Sequence, residues 1–285
     1  MTQRYKVFSN PPNVLCKKYA NNNVFNVCLR ESYTIVLFFQ KKAVTLHRDL
    51  KTTPITYNNI MYTYKYPHPA VTTDCVVFGF DGNSLSLLLI KRGIEPYKGT
   101  WALPGGFMNM DETAEQGALR ELQEETGVKD IYIEQLQAFT GVDRDPRERV
   151  LTSAFLAFVR QEKYEVIAGD DAAQAQWFPI SELPELAFDH KEIIRVALEK
   201  LRWKITYEPL AFRLLNKTFT MTQVQTIYEV VLGQTFDRRN FHKKMTALGY
   251  IVPTDQQIRN NGRPGTLYTF DEQKYHEQIE NRNAF

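Results

Sequence analysis

Cysteine is scarce in this chain: three residues, Cys16, Cys28 and Cys75, among 285. They are scattered, odd in number and without metal-ligand spacing, which excludes a disulfide framework and a structural zinc cluster. They read as reduced thiols of a cytoplasmic protein. Long hydrophobic runs are missing too. Even an unbroken apolar stretch such as Ile35 to Phe39 falls far short of the roughly 20 residues that a membrane-spanning helix needs. Residues 1–30 lack the basic segment followed by an apolar one that marks a secretory signal, so no membrane partner is expected. Nor does one sign of charge dominate, with 35 Lys and Arg against 33 Asp and Glu.

That balance hides a segregation. Residues 1–60 carry 9 basic against 2 acidic residues, residues 61–194 carry 12 against 22, and residues 195–285 carry 14 against 9. An acidic middle suits a metal-dependent site, and a basic C-terminal part suits a partner rich in phosphates. The length allows two domains with separate cores. Residues 1–60 show no durable periodicity and one strand-like run, Tyr33–Gln40. They are read as an uncharacterised basic extension: either an appended element or a start placed upstream of a natural beginning at Met61. The second is favoured, because everything recognisable follows Met61.

What is there in strength is the stretch from Gly106 to Val128. It contains Arg120-Glu121-Leu122-Gln123-Glu124-Glu125 within a strongly helical segment. At about 100° per residue, Glu121, Glu124 and Glu125 share one helix face, where like charges repel. A helix made only for stability would avoid that pattern. A hard divalent cation, Mg²⁺ or Mn²⁺, removes the penalty. Gly105-Gly106 before the helix lets the backbone approach a ligand closely, and Gly127 suits the left-handed position that ends a helix.

The stretch resembles the Nudix box, G-x5-E-x7-R-E-U-x-E-E-x-G-U with U aliphatic. Gly106, Glu112, Arg120, Glu121, Leu122, Glu124, Glu125, Gly127 and Val128 fill all nine fixed positions. The resemblance implies an α/β/α sandwich that binds Mg²⁺ and cleaves a pyrophosphate joined to a nucleoside. By position in the box it implies Glu121 and Glu125 as metal ligands, with Glu124 joining a second ion and the Gly105 carbonyl completing a shell. Arg120 would orient a carboxylate by bidentate hydrogen bonds, and Glu112 would pair with it or brace the loop. The general base would come from a separate loop, where Glu165, Asp170 and Asp171 are candidates. Arg92, Arg144 and Arg147, with Arg149, are candidates for holding phosphates or ribose; the competing reading is ion pairs with Asp143, Asp145 and Glu148. The Asp143–Arg147 segment, DRDPR, looks like Nudix enzymes acting on ADP-ribose. Trp101, in the lead-in loop, is expected to pack rather than touch ligand.

In chain order, Val71–Phe80 and Leu85–Lys91 read as a hairpin, Ile131–Phe139, Val150–Val159 and Ala175–Phe178 as strands, and His190 to about Trp203 as a helix capped by Asp189. A Nudix domain is therefore expected over residues 66–205. Pro209 marks a boundary. Beyond it, a helix over Gln223–Leu232 capped by Thr220 or Thr222, a second over Arg238–Leu248 capped by Asp237, and strands Tyr250–Val252 and Thr266–Phe270 make a winged helix-turn-helix layout over residues 209–275. Arg238, Arg239, His242, Lys243 and Lys244 on the second helix, with Arg259 and Arg263 in the wing, suit DNA phosphates and base edges; the alternative is a solvated face in a domain that assists dimerisation. The order of motifs resembles the Nudix-related transcriptional regulators of NAD metabolism. That implies a homodimer, double-stranded DNA and a nucleotide such as ADP-ribose as partners. The intact carboxylates favour a Mg²⁺-dependent hydrolase of ADP-ribose over a purely sensing regulator.

Overall fold

The computed structural model describes residues 64–168, 172–258 and 265–282, together with six strands before residue 64. Contacts divide the chain at Lys65/Tyr66 into two compact units. In the first, β1 (Val14–Tyr19), β2 (Phe25–Arg30), β3 (Thr34–Phe39) and β4 (Lys42–His47) form an antiparallel sheet in chain order, and β5 (Thr56–Tyr57) pairs with β6 (Ile60–Met61). Sequence pattern had offered only the strand that became β3. The other strands are two to six residues long, too short for a durable periodicity, and ladder pairing defines them.

The second unit is built on a mixed sheet ordered β11-β12-β7-β8-β13, with short strands β10 and β9 pairing β7 and β8. These are β7 (Ala70–Phe80), β8 (Leu85–Arg92), β9 (Trp101–Ala102), β10 (Gly105–Phe107), β11 (Glu134–Phe139), β12 (Val150–Arg160) and β13 (Ala172–Pro179). β7 and β12 run parallel; the other pairs are antiparallel. Strand parity sends side chains to opposite faces. Cys75, Val77, Leu88, Phe155, Ala157 and Val159 pack under helix α1 (Ala114–Thr126) with Ala118 and Leu122. Val76, Phe78, Leu87, Leu89 and Leu156 pack under α2 (His190–Tyr207) with Ile193, Ala197, Leu201 and Ile205. The sheet is thus covered on both sides, the α/β/α sandwich expected. Trp101 packs edge-to-face on Phe178 with ring centroids 4.6 Å apart, as a core residue should.

α1 begins with a capping box: Gln116 N–H donates to Thr113 Oγ1 (3.2 Å) and Thr113 N–H to Gln116 Oε1 (2.8 Å). Gly127 at φ 72° ends it. α2 differs from expectation at its start. Asp189 occupies the N-cap position but its carboxylate makes no capping bond, because both oxygens are spent on Arg144 at 3.0 and 2.8 Å.

Pro209 starts a new element but not a separable linker. The 3₁₀ helix Leu210–Leu214 and α3 (Met221–Leu232) put Leu210, Leu214, Ile227 and Val231 into the same core as Leu201 and Ile205 of α2. Arg202 of α2 donates to the Val231 carbonyl at 3.2 Å. α3 is capped by Thr220 with Gln223 and ended by Gly233; Asp237 Oδ1 accepts from Asn240 N–H (2.9 Å) at the start of α4 (Arg238–Ala247). β14 (Ile251–Ile258) and β15 (Gly265–Phe270) form the wing hairpin, and α5 (Glu272–Arg282), absent from the sequence reading, lays Tyr275 against Tyr250 and Phe270. Phe212, Phe219, Val224, Phe241 and Ile251 form this domain's own core. Among the described residues no helix is long and apolar enough to cross a membrane.

Candidate functional site

β10, the loop after it and α1 bring the carboxylates of the Gly106–Val128 stretch together around Arg120. Its guanidinium grips Glu112 with two bonds, Nε to Oε2 (2.9 Å) and Nη2 to Oε1 (2.7 Å). Nη1 donates to Glu121 Oε1 (2.8 Å) and Glu124 Oε2 (3.0 Å), and Nη2 reaches the Phe107 carbonyl at 3.1 Å. Glu112 also accepts from Asn109 N–H at 2.7 Å, so it both pairs with Arg120 and braces the loop. The two Arg120 bonds hold the Glu112 carboxyl down to about pH 2. Glu121 and Glu125 behave oppositely: burial raises Glu121, and burial with the neighbouring Glu121 and Asp74 charges pushes Glu125 up to about 8. Glu125 Oε2 accepts from Gly105 N–H (2.8 Å), and among the described residues no Lys or Arg forms an ion pair with it. Gly105 lies at φ 155°, and a Cβ there would sit 2.0 Å from the Thr73 carbonyl; one on Gly106 would collide with the Glu121 carboxylate at 2.5 Å. Both must be glycine for the carboxylates to face the loop.

A cavity of about 310 Å³ opens over Glu121, Glu125 and Arg120 and is also lined by Arg92, Arg144 and Arg147. Arg147 pairs with Asp145 through two bonds (3.0 and 2.7 Å) and lies over the Phe107 ring at 5.1 Å and the Phe188 ring at 5.9 Å. Arg92 donates to the Pro96 carbonyl (2.8 Å) and stacks on Phe188 at 4.8 Å. Arg144 is 5% exposed, bound to Asp189 and 3.5 Å from Asp74. Arg149 turns away, donating to the Gly141 and Thr140 carbonyls at 2.8 and 3.0 Å. Beneath the cavity, buried Asp74 accepts from Thr152 Oγ1 (2.7 Å). His190 Nδ1 accepts from Leu103 N–H (2.9 Å), which leaves the proton on Nε2, 3.6 Å from Asp74. Burial lowers the His190 pKa, so the ring is neutral.

In the C-terminal domain, Arg238, Arg239, Lys243 and Lys244 are exposed on α4, and among the described residues none has an acid within ion-pairing distance. His242 instead shares a 2.9 Å hydrogen bond with the Tyr268 hydroxyl, tying α4 to the wing. Arg259 and Arg263 lie outside the described residues.

The profile of the NUDIX domain matches residues 68–197, and that of the NrtR DNA-binding winged helix domain matches residues 211–270. The chain is 34% identical over 214 residues to the ADPR responsive transcriptional repressor NtrR of Acinetobacter baylyi, covering 74% of this chain and 85% of that protein. The chain belongs to the NrtR family, a Nudix domain joined to a winged helix. It is 42% identical over 139 residues to the ADP-ribose pyrophosphatase of Methanocaldococcus jannaschii, covering 49% of this chain and 77% of that one. A solved structure of Shewanella oneidensis NrtR with a 27mer DNA matches with a TM-score of 0.57 at 30% identity, over 72% of this chain and 95% of that one.

Nudix hydrolases generally use divalent metals, and the donor set suits one. Two partly desolvated carboxylates, Glu121 and Glu125, line an open cavity, and among the described residues Glu125 has a backbone N–H but no counter-ion. Among the described residues no three His, Cys, Asp or Glu are gathered tightly enough to hold an ion alone. Mg²⁺ characteristically takes one or two carboxylates and completes its shell with water and substrate phosphate, so the residues fit a hard cation that arrives with its ligand.

The NrtR-family site departs from the sequence reading in several places. The repulsion in the carboxylate cluster is relieved in part by Arg120 rather than left wholly to a metal. Glu124 is 60% exposed, at the rim rather than on the cavity wall. The contact that Gly105 makes with Glu125 is through its N–H. Arg144 faces the cavity but is a buried counter-ion to Asp189 and Asp74, acids 45 and 70 residues away in the chain rather than in its own loop. Arg147 does form the anticipated pair with Asp145. Glu165 is exposed outside the cavity, and Asp170 and Asp171 lie outside the described residues. Sequence reasoning missed Asp74, His190, Phe107 and Phe188. One signal was available for Asp74: an acid inside the β-rich run VTTDCVVFGF is rarely buried without a partner.

Proposed function

We propose that the chain is an ADP-ribose-responsive, DNA-binding repressor whose Nudix site also hydrolyses its ligand with Mg²⁺ or Mn²⁺. The observation that carries the hydrolytic half is Glu125: a largely desolvated carboxylate that, among the described residues, has no cation partner, beside Glu121 and below a cavity lined by Arg92 and Arg147. Bound there, the metal would neutralise negative charge on the pyrophosphate. The chain's own part is to hold Glu121 and Glu125 as ligands, with Glu124 at the rim. Arg120 keeps Glu121 and Glu124 oriented while Glu112 anchors Arg120 from behind. Arg92 and Arg147 bind phosphate or ribose oxygens, and the Phe107 and Phe188 rings border the same space, where they favour a ligand with a planar base. Arg144 positions rather than binds, holding Asp189 and the start of α2. The exposed cations Arg238, Arg239 and Lys243 suit DNA phosphates and base edges, and His242 sets the wing against that helix. A cytoplasmic homodimer fits such a role, because paired recognition helices match operator symmetry.

Turnover of ADP-ribose with Mg²⁺ tests the hydrolytic half. The wild type should cleave it and Glu125→Gln should be at least ~100-fold slower; equal rates would end the enzymatic reading. A mobility shift on the protein's own promoter region, with and without ADP-ribose, tests the regulatory half. Failure to bind at low salt would overturn it. A purely sensing Nudix domain is the second reading, favoured by the way Arg120 already occupies one oxygen each of Glu121 and Glu124. It requires ligand-dependent DNA release without turnover in the same preparation.

A further inference from the structure

A second cavity, about 210 Å³, lies between the sheet, α2 and the 3₁₀ helix Leu210–Leu214, and shares no lining residue with the Nudix cavity. Its floor is apolar, made by buried Leu156, Leu201 and Leu214. Four cations line it, and they are not equivalent. Lys204 is matched by Glu134 and Glu208, both at 2.7 Å, and Arg160 by Glu162 at 2.6 Å. Lys163 and Arg213 are exposed and, among the described residues, have no acid within 4.0 Å. The Arg213 guanidinium lies over the ring of Tyr132, which is itself 69% exposed at the mouth.

We propose that this cavity binds a small anion carrying a ring, with its phosphate or carboxylate between Lys163 and Arg213 and its ring on the apolar floor against Tyr132. Charge and shape argue together. Two unmatched cations beside a low-dielectric wall concentrate an anion, and an arginine already stacked on a ring presents its donor edge to two oxygens of a carboxylate or phosphate. The apolar lining offers an inorganic ion nothing, whereas the partly exposed Phe158 and the exposed Tyr132 give a ring apolar area to cover. The volume lies below the roughly 300–1,000 Å³ of pockets for drug-sized ligands, so a dinucleotide does not fit whole. The position gives the site a consequence. Leu156 belongs to the Nudix sheet, while Arg213 and Leu214 belong to the segment that leads into α3, so an occupant contacts both domains at their joint.

The test uses the full chain and calorimetric titration with phenyl phosphate, benzoate and orthophosphate, each in the absence and presence of saturating ADP-ribose. Phenyl phosphate or benzoate should bind saturably, one per chain, with ADP-ribose making no competition. The tighter of the two identifies the anionic group. Lys163→Ala with Arg213→Ala should weaken binding at least ~10-fold, the loss of two charge-assisted contacts, whereas Arg195→Ala on the exposed face of α2 should not. Both altered residues are exposed, and an unchanged unfolding midpoint certifies the fold. No saturable binding of either ring anion, displacement by ADP-ribose, orthophosphate binding as tightly as phenyl phosphate, or indifference to the double substitution would each overturn the proposal.

Discussion

Replacing Arg120 by Gln tests whether this one guanidinium organises the carboxylate cluster. In the metal-free protein its two bonds to Glu112 carry that carboxyl from an ordinary 4.5 to about 2. At ~1.4 kcal/mol per unit the shift is worth about 3 kcal/mol at face value. Arg120 is 27% exposed and Glu112 12%, and Arg120 lines the open cavity, so screening reduces the expectation to ~1–2 kcal/mol. The sign follows from the direction of the shift. A carboxyl depressed in the folded state contributes stability above its unfolded pKa and loses it as pH falls from 4.5 through about 2. Denaturant unfolding of wild type, Arg120→Gln, Glu112→Gln and the double variant at pH 7 and pH 3 provides the assay. Arg120→Gln should cost ~1–2 kcal/mol at pH 7 and about half of that or less at pH 3, with a coupling energy near ~1 kcal/mol between the two sites. Equal costs at both pH values, or additive single and double variants, would refute the account of Arg120 as clamp.

Other consequences are as direct. Glu125→Gln should raise the unfolding midpoint of the metal-free protein at pH 9, because a carboxyl pushed up to about 8 opposes folding once it is ionised; an unchanged midpoint contradicts its burial. For the same reason Mg²⁺ affinity, followed by calorimetry, should rise with pH up to about 8, and a flat profile would remove Glu125 from the ligand set. Arg144→Met should destabilise the fold by ~3 kcal/mol, since it strands the Asp74 charge at 8% side-chain exposure, while Asp189→Asn should cost less because it leaves Arg144 its second acid. Denaturation curves with those costs reversed would place the network's centre at Asp189. Arg238→Ala and Arg239→Ala should each lower the salt slope of DNA binding by ~1; an unaltered slope would take α4 off the DNA.

The Nudix helix was legible because its signals are local. Capping residue, terminal glycine and fixed carboxylate spacing all lie within one stretch, and a helix converts spacing into direction. The winged helix was legible for a similar reason: Thr220, Gly233, Asp237 and Gly249 punctuate short helices. α5 carries little apolar periodicity and is held by Tyr275 on Tyr250 and Phe270, contacts that exist only after the domain folds. Asp189 illustrates the limit of local chemistry. Its position is that of a cap, yet an arginine 45 residues earlier takes its carboxylate.

The sequence by itself determined the carboxylate face of α1, the strands that α1 covers and the basic face of α4, because each follows from periods of two or 3.6 residues along a single element. Only the tertiary structure decided which arginines face the cavity and which acid holds each of them. Arg144 and Arg147 stand three apart in one loop, and what separates them is burial: one is drawn 45 residues along the chain to Asp189, the other stays with its neighbour Asp145. Burial also decided that Glu125, beside Glu124 in the chain, lies desolvated against the Gly105 amide while its neighbour stays in water at the rim. Desolvation is a property of what surrounds a group, and that surrounding is assembled from β7, β10 and α2, which only the fold brings together.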